Sequence, residues 1–117
     1  MQILVKRVYE PADPADGRRI LVDRLWPRGI AKEHASWDEW LKEIAPSSEL
    51  RCWSHHDPEK WPEFVARYAR ELEERPDLVG YLRGLAAKAP LTLLYAARDT
   101  ERNNAVALRD YLLAGER

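Results

Sequence analysis

The chain has 117 residues, the size of one ordinary domain and too short for two. Hydrophobic residues make up 45% of it and charged residues 33%, a balance that excludes a disordered tail or a fibrous repeat. Its 19 Lys and Arg against 20 Asp and Glu leave a formal charge of −1, so no net field draws the molecule onto nucleic acid or an anionic membrane, and any anion site is local.

In chain order, Ile3 to Val8 reads as a strand, because aliphatic and β-branched residues dominate a short run that Glu10-Pro11 and Asp13-Pro14 then stop. A loop follows from Glu10 to Arg18, with a turn signal at Asp16-Gly17. Ile20-Leu21-Val22 is a second short apolar run, consistent with a strand buried on both faces, and it ends near Asp23. Its exit, Arg24 to Gly29, is punctuated by Pro27 and Gly29 and reads as a shaped loop. Ser36 is read as the cap of a helix that carries Trp37, Trp40, Leu41 and Ile44 at helical spacing before Pro46.

The clearest helix follows Asp57-Pro58, an Asp cap with Pro in the first helical position, and its apolar stripe is Trp61, Phe64, Val65, Tyr68 and Leu72. Pro62 argues that regular helix begins later than that cap. A further helix is expected from Pro76 to Ala89. Leu91 to Ala97 returns to strand character, and its near-uniform apolarity places it centrally in a sheet. Arg98-Asp99-Thr100 is its exit. A last helix runs from Asn103, with Ala105, Leu108 and Leu112 inward and Gly115 at its end.

This order predicts a small single-domain α/β fold, a largely parallel sheet flanked by helices. The segment from Glu10 to Arg18 is too short for a helical crossover, so the first two strands are antiparallel, are separated by another strand, or one is misassigned. Cys52 is the only cysteine, as a reducing compartment allows, and neither a targeting segment nor a membrane span is visible; a cytoplasmic address without membrane association is expected.

The runs Arg7-Val8-Tyr9, Asp16-Gly17, Leu21-Val22-Asp23-Arg24-Leu25-Trp26-Pro27-Arg28-Gly29, His56-Asp57-Pro58 and Leu93-Leu94-Tyr95-Ala96-Ala97 resemble the YeaO-like branch of the domain-of-unknown-function family 488. So do Ala45-Pro46-Ser47, Leu50-Arg51 and Arg67-Tyr68. The resemblance implies a small bacterial α/β protein without an agreed activity. His56 matches the family motif and His55 does not; Arg98 stands where a lysine is usual; Asn103 matches the asparagine at the start of the last helix, and Asn104 falls at a variable position.

Ligands of open α/β sheets sit beyond the carboxyl ends of the strands. One exit supplies Asp23, Arg24 and Arg28, and another supplies Arg98 and Asp99, followed by Asn103 at a helix start that favours anions. The stretch from Arg51 to Asp57 is read as a loop able to close over them, adding Arg51 and the titratable His56. Arginine recognises carboxylate or phosphate through two parallel bonds. The expectation is a small phosphate- or carboxylate-bearing ligand held by Asp23, Arg24, Arg28, Arg51, Arg98 and Asn103, with His56 and Asp99 as proton carriers if there is a reaction.

The plainer alternative is an ion-pair network that ties loops to the sheet, with Asp57 only a cap. Two other functional readings are a nucleic-acid module using Arg18 to Lys32, which the neutral net charge disfavours, and a regulatory interaction domain presenting a Trp-rich loop. Trp26 and Trp53, placed on one rim, could stack on a base or sugar. No metal or cofactor is expected: His55-His56-Asp57 are too closely spaced to converge on one ion, and nucleotide-binding glycine loops are absent. The sequence leaves the oligomeric state open.

Overall fold

The computed structural model describes residues 1–115. Four strands form one sheet in the order β1-β4-β2-β3: β1 is Ile3–Arg7, β2 Arg18–Leu21, β3 Glu39–Trp40 and β4 Leu91–Tyr95. Every pairing is parallel. All five residues of β4 are buried, as its central position requires. Four α-helices accompany the sheet among the described residues: α1 Ser48–Ser54, α2 Trp61–Glu73, α3 Pro76–Lys88 and α4 Asn104–Ala114. No helix among these residues is long and apolar enough to cross a membrane.

The period-two alternation of the strands divides the core. Ile3, Ile20, Val22, Leu91, Leu93 and Tyr95 face the helices, meeting Phe64, Tyr68 and Leu72 of α2, Val79 and Leu82 of α3, and Leu108 and Leu112 of α4. Val8, Leu21 and Leu94 face the other way, under Ile30, Trp37 and Trp40. No α-helix among the described residues covers this second face. The loop after β2 closes it with a tryptophan cluster in which Trp26 meets Trp37 and Trp40 edge-on, at 4.9 and 5.6 Å.

Of the arrangements open for the first two strands, the sheet adopts separation: β4 lies between them and pairs in parallel with both. Residues 8–17 must therefore return from the carboxyl edge to the amino edge while crossing β4, with fewer residues than the dozen or so that a helical crossover takes. They do so as a strap across the second face. Asp13 caps a single 3-10 turn, Pro14–Asp16, through a reciprocal capping box. Gly17, at φ 64°, then brings the backbone so close to Pro90 that a Cβ would stand 2.2 Å from its carbonyl oxygen.

Asp16 holds the strap down. Its buried carboxylate is paired with the equally buried Arg19 guanidinium and lies 3.1 Å from Lys6 Nζ, while its backbone carbonyl accepts from Thr92 Oγ1 at 2.7 Å. Burial alone would raise the Asp16 pKa; bonds from Lys6, the backbone of Asp13 and Arg19 outweigh it and hold the group below its ordinary value.

Two sequence expectations are corrected. Residues 37–44 form no α-helix: Glu39–Trp40 is the edge strand β3, and Lys42–Ile44 a 3-10 turn. Trp37, Trp40, Leu41 and Ile44 do repeat at helical spacing, but the open edge of β2 competes for the backbone and wins. Asp38 N–H donates to the Arg19 carbonyl, Asp38 Oδ2 accepts from Arg19 N–H, and Leu41 N–H donates to the Leu21 carbonyl. Ser36, read as a cap, instead accepts from the Arg19 guanidinium through both its carbonyl and its hydroxyl.

Nor is Arg51 to Asp57 wholly a loop, since Arg51, Cys52, Trp53 and Ser54 belong to α1. Ser47 caps that helix, accepting from Leu50 N–H while its own N–H and hydroxyl donate to Glu71. Asp57 is a cap as read, of the 3-10 turn Pro58–Lys60, and regular helix begins only at Trp61 with Pro62 in its first turn.

Asp16→Asn should lower stability by about 3 to 5 kcal/mol at neutral pH, because it leaves Arg19 buried without its partner. The folded pKa lies below the unfolded one, so this contribution is present above the ordinary carboxylate range and is lost as pH falls through the folded value. Urea unfolding of both proteins from neutral to acid pH should show the gap closing; a gap independent of pH would refute this role. In α2, Tyr68 is fully buried and donates to the Ile44 carbonyl at 2.6 Å, whereas Trp61 is only half-buried and stacks on Phe64. Tyr68→Phe should cost about 1 kcal/mol in thermal melts. Trp61→Ala should fall short of the roughly 3 to 5 kcal/mol typical of a fully buried aromatic.

Candidate functional site

Because all four strands are parallel, their carboxyl ends share one edge. The chain leaves β4 for α4 on the helical face but leaves both neighbours, β1 and β2, for the second face. Connections that diverge on each side of the end of β4 make that end the position where open α/β sheets take ligands, in a crevice between neighbouring strands.

The floor of the β4–β2 crevice is Asp23. In a continued parallel ladder, Val22, whose N–H donates to the Leu94 carbonyl, would accept from Ala96 N–H. Here the Asp23 carboxylate takes that N–H at 2.9 Å, and Asn104 Nδ2 bridges the freed Val22 carbonyl and Asp23 Oδ1, both at 3.1 Å. Burial raises the Asp23 pKa; Asn104, the Ala96 N–H and the nearby charges of Arg51 and His56 pull it down without cancelling the rise. The Asp23 backbone carbonyl accepts from Trp40 Nε1.

Arg7 occupies the β4–β1 side. Its Nε donates to the Ala97 carbonyl at 2.9 Å and its Nη2 to that of Ala96 at 3.0 Å, with the guanidinium over the Tyr9 ring. Sequence reasoning did not count Arg7 among the site residues; a basic residue closing an apolar strand is the signal that could have found it. Tyr9 in turn donates its hydroxyl to the Arg28 carbonyl, fixing the Pro27-Arg28-Gly29 turn beside β1.

The other expected residues divide into two groups. Arg24 is committed to the fold, donating to the Ala45 and Pro46 carbonyls just ahead of α1. Asn103 is the buried N-cap of α4, accepting from Val106 N–H and donating to the Asp99 carbonyl. Asp99 closes its own turn, accepting from the N–H groups of Glu101 and Arg102, which with the Arg102 side chain hold it below the ordinary carboxylate range. By contrast, the side chains of Arg28, Arg51, Arg98 and His56 are exposed and make no hydrogen bond or ion pair among the described residues. Arg51 lies on α1, and His56 follows it after a turn in which His55 and His56 both take left-handed backbone, φ 43° and 56°.

Two clefts lie outside these crevices. One of about 180 Å³ is lined by Arg24, Glu43, Ser47, Tyr68 and Glu71, among others, and one of about 330 Å³ by Tyr9, Glu10, Gly29, Ile30 and His34, among others. Arg24 is the single expected site residue on either. Trp26 and Trp53 do not share a rim: Trp26 belongs to the second-face cluster, and Trp53 lies between Lys60 and Arg67. Among the described residues no three His, Cys, Asp or Glu side chains gather where a metal ion could be held.

Residues 2–116 match the family model described as the inactive DUF488-N3 subclade. The uncharacterized protein YeaO of Escherichia coli is 49% identical over 112 residues, covering 96% of this chain and 97% of its own. The uncharacterized proteins Rv3073c of Mycobacterium tuberculosis and Mb3100c of Mycobacterium bovis are each 44% identical over 111 residues, covering 95% of this chain and 93% of theirs. No solved structure matches. A match along nearly the whole chain, together with relatives matched along nearly all of their own length, makes this protein a member of the inactive DUF488-N3 subclade, the YeaO-like branch of the domain-of-unknown-function family 488.

Proposed function

We propose that the domain binds a small phosphate- or carboxylate-bearing ligand at the carboxyl edge of its sheet, in the crevice between β4 and β2, without turning it over. The observation that carries this reading is the contrast among the cations of that edge. Arg7 and Arg24 are bonded to backbone carbonyls, whereas Arg51, Arg98 and His56 have no bonded partner among the described residues, and Arg51 and His56 act on the charge of Asp23. An anion entering from solvent would meet guanidinium forks that no internal bond has to release.

Binding without turnover is supported by the family's own description as inactive, and by the state of the expected proton carriers. Asp99 is held ionised by its own turn. Its lowered pKa moves it away from proton transfer, which wants a group whose pKa lies near the working pH. Among the described residues His56 lacks the hydrogen-bonded carboxylate that would orient an imidazole base.

Titration of the protein with inorganic phosphate, nucleotides, sugar phosphates and small carboxylates, followed by amide chemical shifts, tests this reading. Shifts should gather at residues 23, 51, 56, 96–98 and 104. Wild-type protein that responds to none of these anions would overturn it. Three variants separate binding from folding. Arg51→Ala should weaken the bound anion by roughly 10-fold or more and melt like wild type. Arg28→Ala should also melt like wild type, since its side chain has no bonded partner among the described residues. Arg24→Ala should lose about 1 to 3 kcal/mol of stability, because two carbonyls of the buried Ala45-Pro46 pair lose their donor.

A further inference from the structure

We infer that the β4–β2 crevice selects an oxyanion that still carries a proton, a protonated phosphate or phosphate monoester, over a fully ionised one such as sulfate. The inference rests on the anion-binding reading above and concerns Asp23, a group in the crevice that repels anions. Arg51 can only donate, and a protonated His56 likewise; neither distinguishes one oxyanion from another. Asp23 differs from both. An ionised carboxylate only accepts, with about four lone-pair positions on its two oxygens. The protein fills one on each oxygen, Ala96 N–H on Oδ2 at 2.9 Å and Asn104 Nδ2 on Oδ1 at 3.1 Å.

Asp23 is half-buried rather than sealed, which leaves the remaining positions for a ligand that reaches the edge. Nor can the carboxylate swing away. Its two bonds anchor it to the end of β4 and the first residue of α4, and its backbone carbonyl is held by Trp40. An oxyanion drawn in by Arg51 and His56 therefore meets a fixed acceptor. A phosphate oxygen bearing hydrogen donates to it and completes a charge-assisted bond. A sulfate oxygen has no hydrogen to give at neutral pH and places negative charge against negative charge. The difference is one hydrogen bond to a charged group, made or left unmade in a partly desolvated place, roughly 10- to 100-fold in affinity.

The experiment is a paired titration of the full chain at pH 6 with inorganic phosphate and with sulfate at equal ionic strength, read by calorimetry and amide shifts, on wild type, Asp23→Asn and Arg51→Ala. Phosphate should bind wild type roughly 10- to 100-fold more tightly than sulfate. Asp23→Asn, whose amide can donate as well as accept, should narrow or abolish the gap chiefly by strengthening sulfate; Arg51→Ala should weaken both ions. Equal binding of the two ions by wild type overturns the selectivity and leaves the anion site standing. Binding of neither overturns the site itself. The wild-type comparison holds even if Asp23→Asn fails to fold, and a folded Asp23→Asn that keeps the full preference removes Asp23 from the selection.

Discussion

The fold depends on one short path. A parallel sheet with β4 between β1 and β2 obliges the chain to return across β4, and residues 8–17 are too few to do so as a packed helix. An extended strap without a helix's internal bonds leaves backbone polar groups over an apolar sheet, and each needs a partner from elsewhere. Asp16 resolves the problem at its most buried point: its carboxylate collects Lys6 from β1 and Arg19 from β2, and its carbonyl collects Thr92 from β4. Three strands are thus tied to one residue of the strap. The arrangement is electrostatic in a place where most α/β domains would bury a helix, which is why its strength is linked to acid pH rather than to apolar area alone.

The strap also sets the geometry of the carboxyl edge. It carries the chain from β1 rightward past β4 on the second face, and the helices carry it from β3 leftward past β2 on the other face. Opposite directions on opposite faces give the two crossovers the same hand, as parallel connections require. Because β4 exits toward the helices while its neighbours β1 and β2 exit toward the second face, the connections diverge on each side of its end. The two sides are finished with opposite charges, Arg7 against β1 and Asp23 against β2, each bonded to the backbone just beyond β4. The end of the central strand is closed by side chains rather than by a continuing ladder.

The local parts of this architecture were legible. Asp57 and Asn103 mark their boundaries through bonds made within a few residues, and Pro76 marks the start of α3 by its missing N–H and fixed φ, so the residues that decide them are neighbours in the chain. The centrality of β4 was legible because burial on both faces demands an unbroken apolar run. The helix α1 was missed although Ser47 is an ordinary cap, since its helix is short and the Glu71 carboxylate that braces the cap lies 24 positions away. The charged residues at the exits of β2 and β4 were visible in the sequence, while the roles within them were not separable: Arg24 and Arg28 are alike in sequence, and only the carbonyls of Ala45 and Pro46 distinguish them.

By itself, then, the sequence determined the α/β class, the Asp57 cap, the start of the last helix at Asn103, the central strand and the concentration of charge after two strands, because each is set by local composition or by a period of burial. Tertiary structure decided the rest. Trp37, Trp40, Leu41 and Ile44 satisfy the spacing of a helix, yet the segment becomes an edge strand because the N–H and C=O groups of β2 were open beside it. Asn104, at a position of no apparent consequence, completes Asp23 because α4 starts at the crevice. Periodicity describes which faces of a segment are apolar; it carries no information about which unpaired backbone edge, or which distant carboxylate, that segment will meet once the chain has closed on itself.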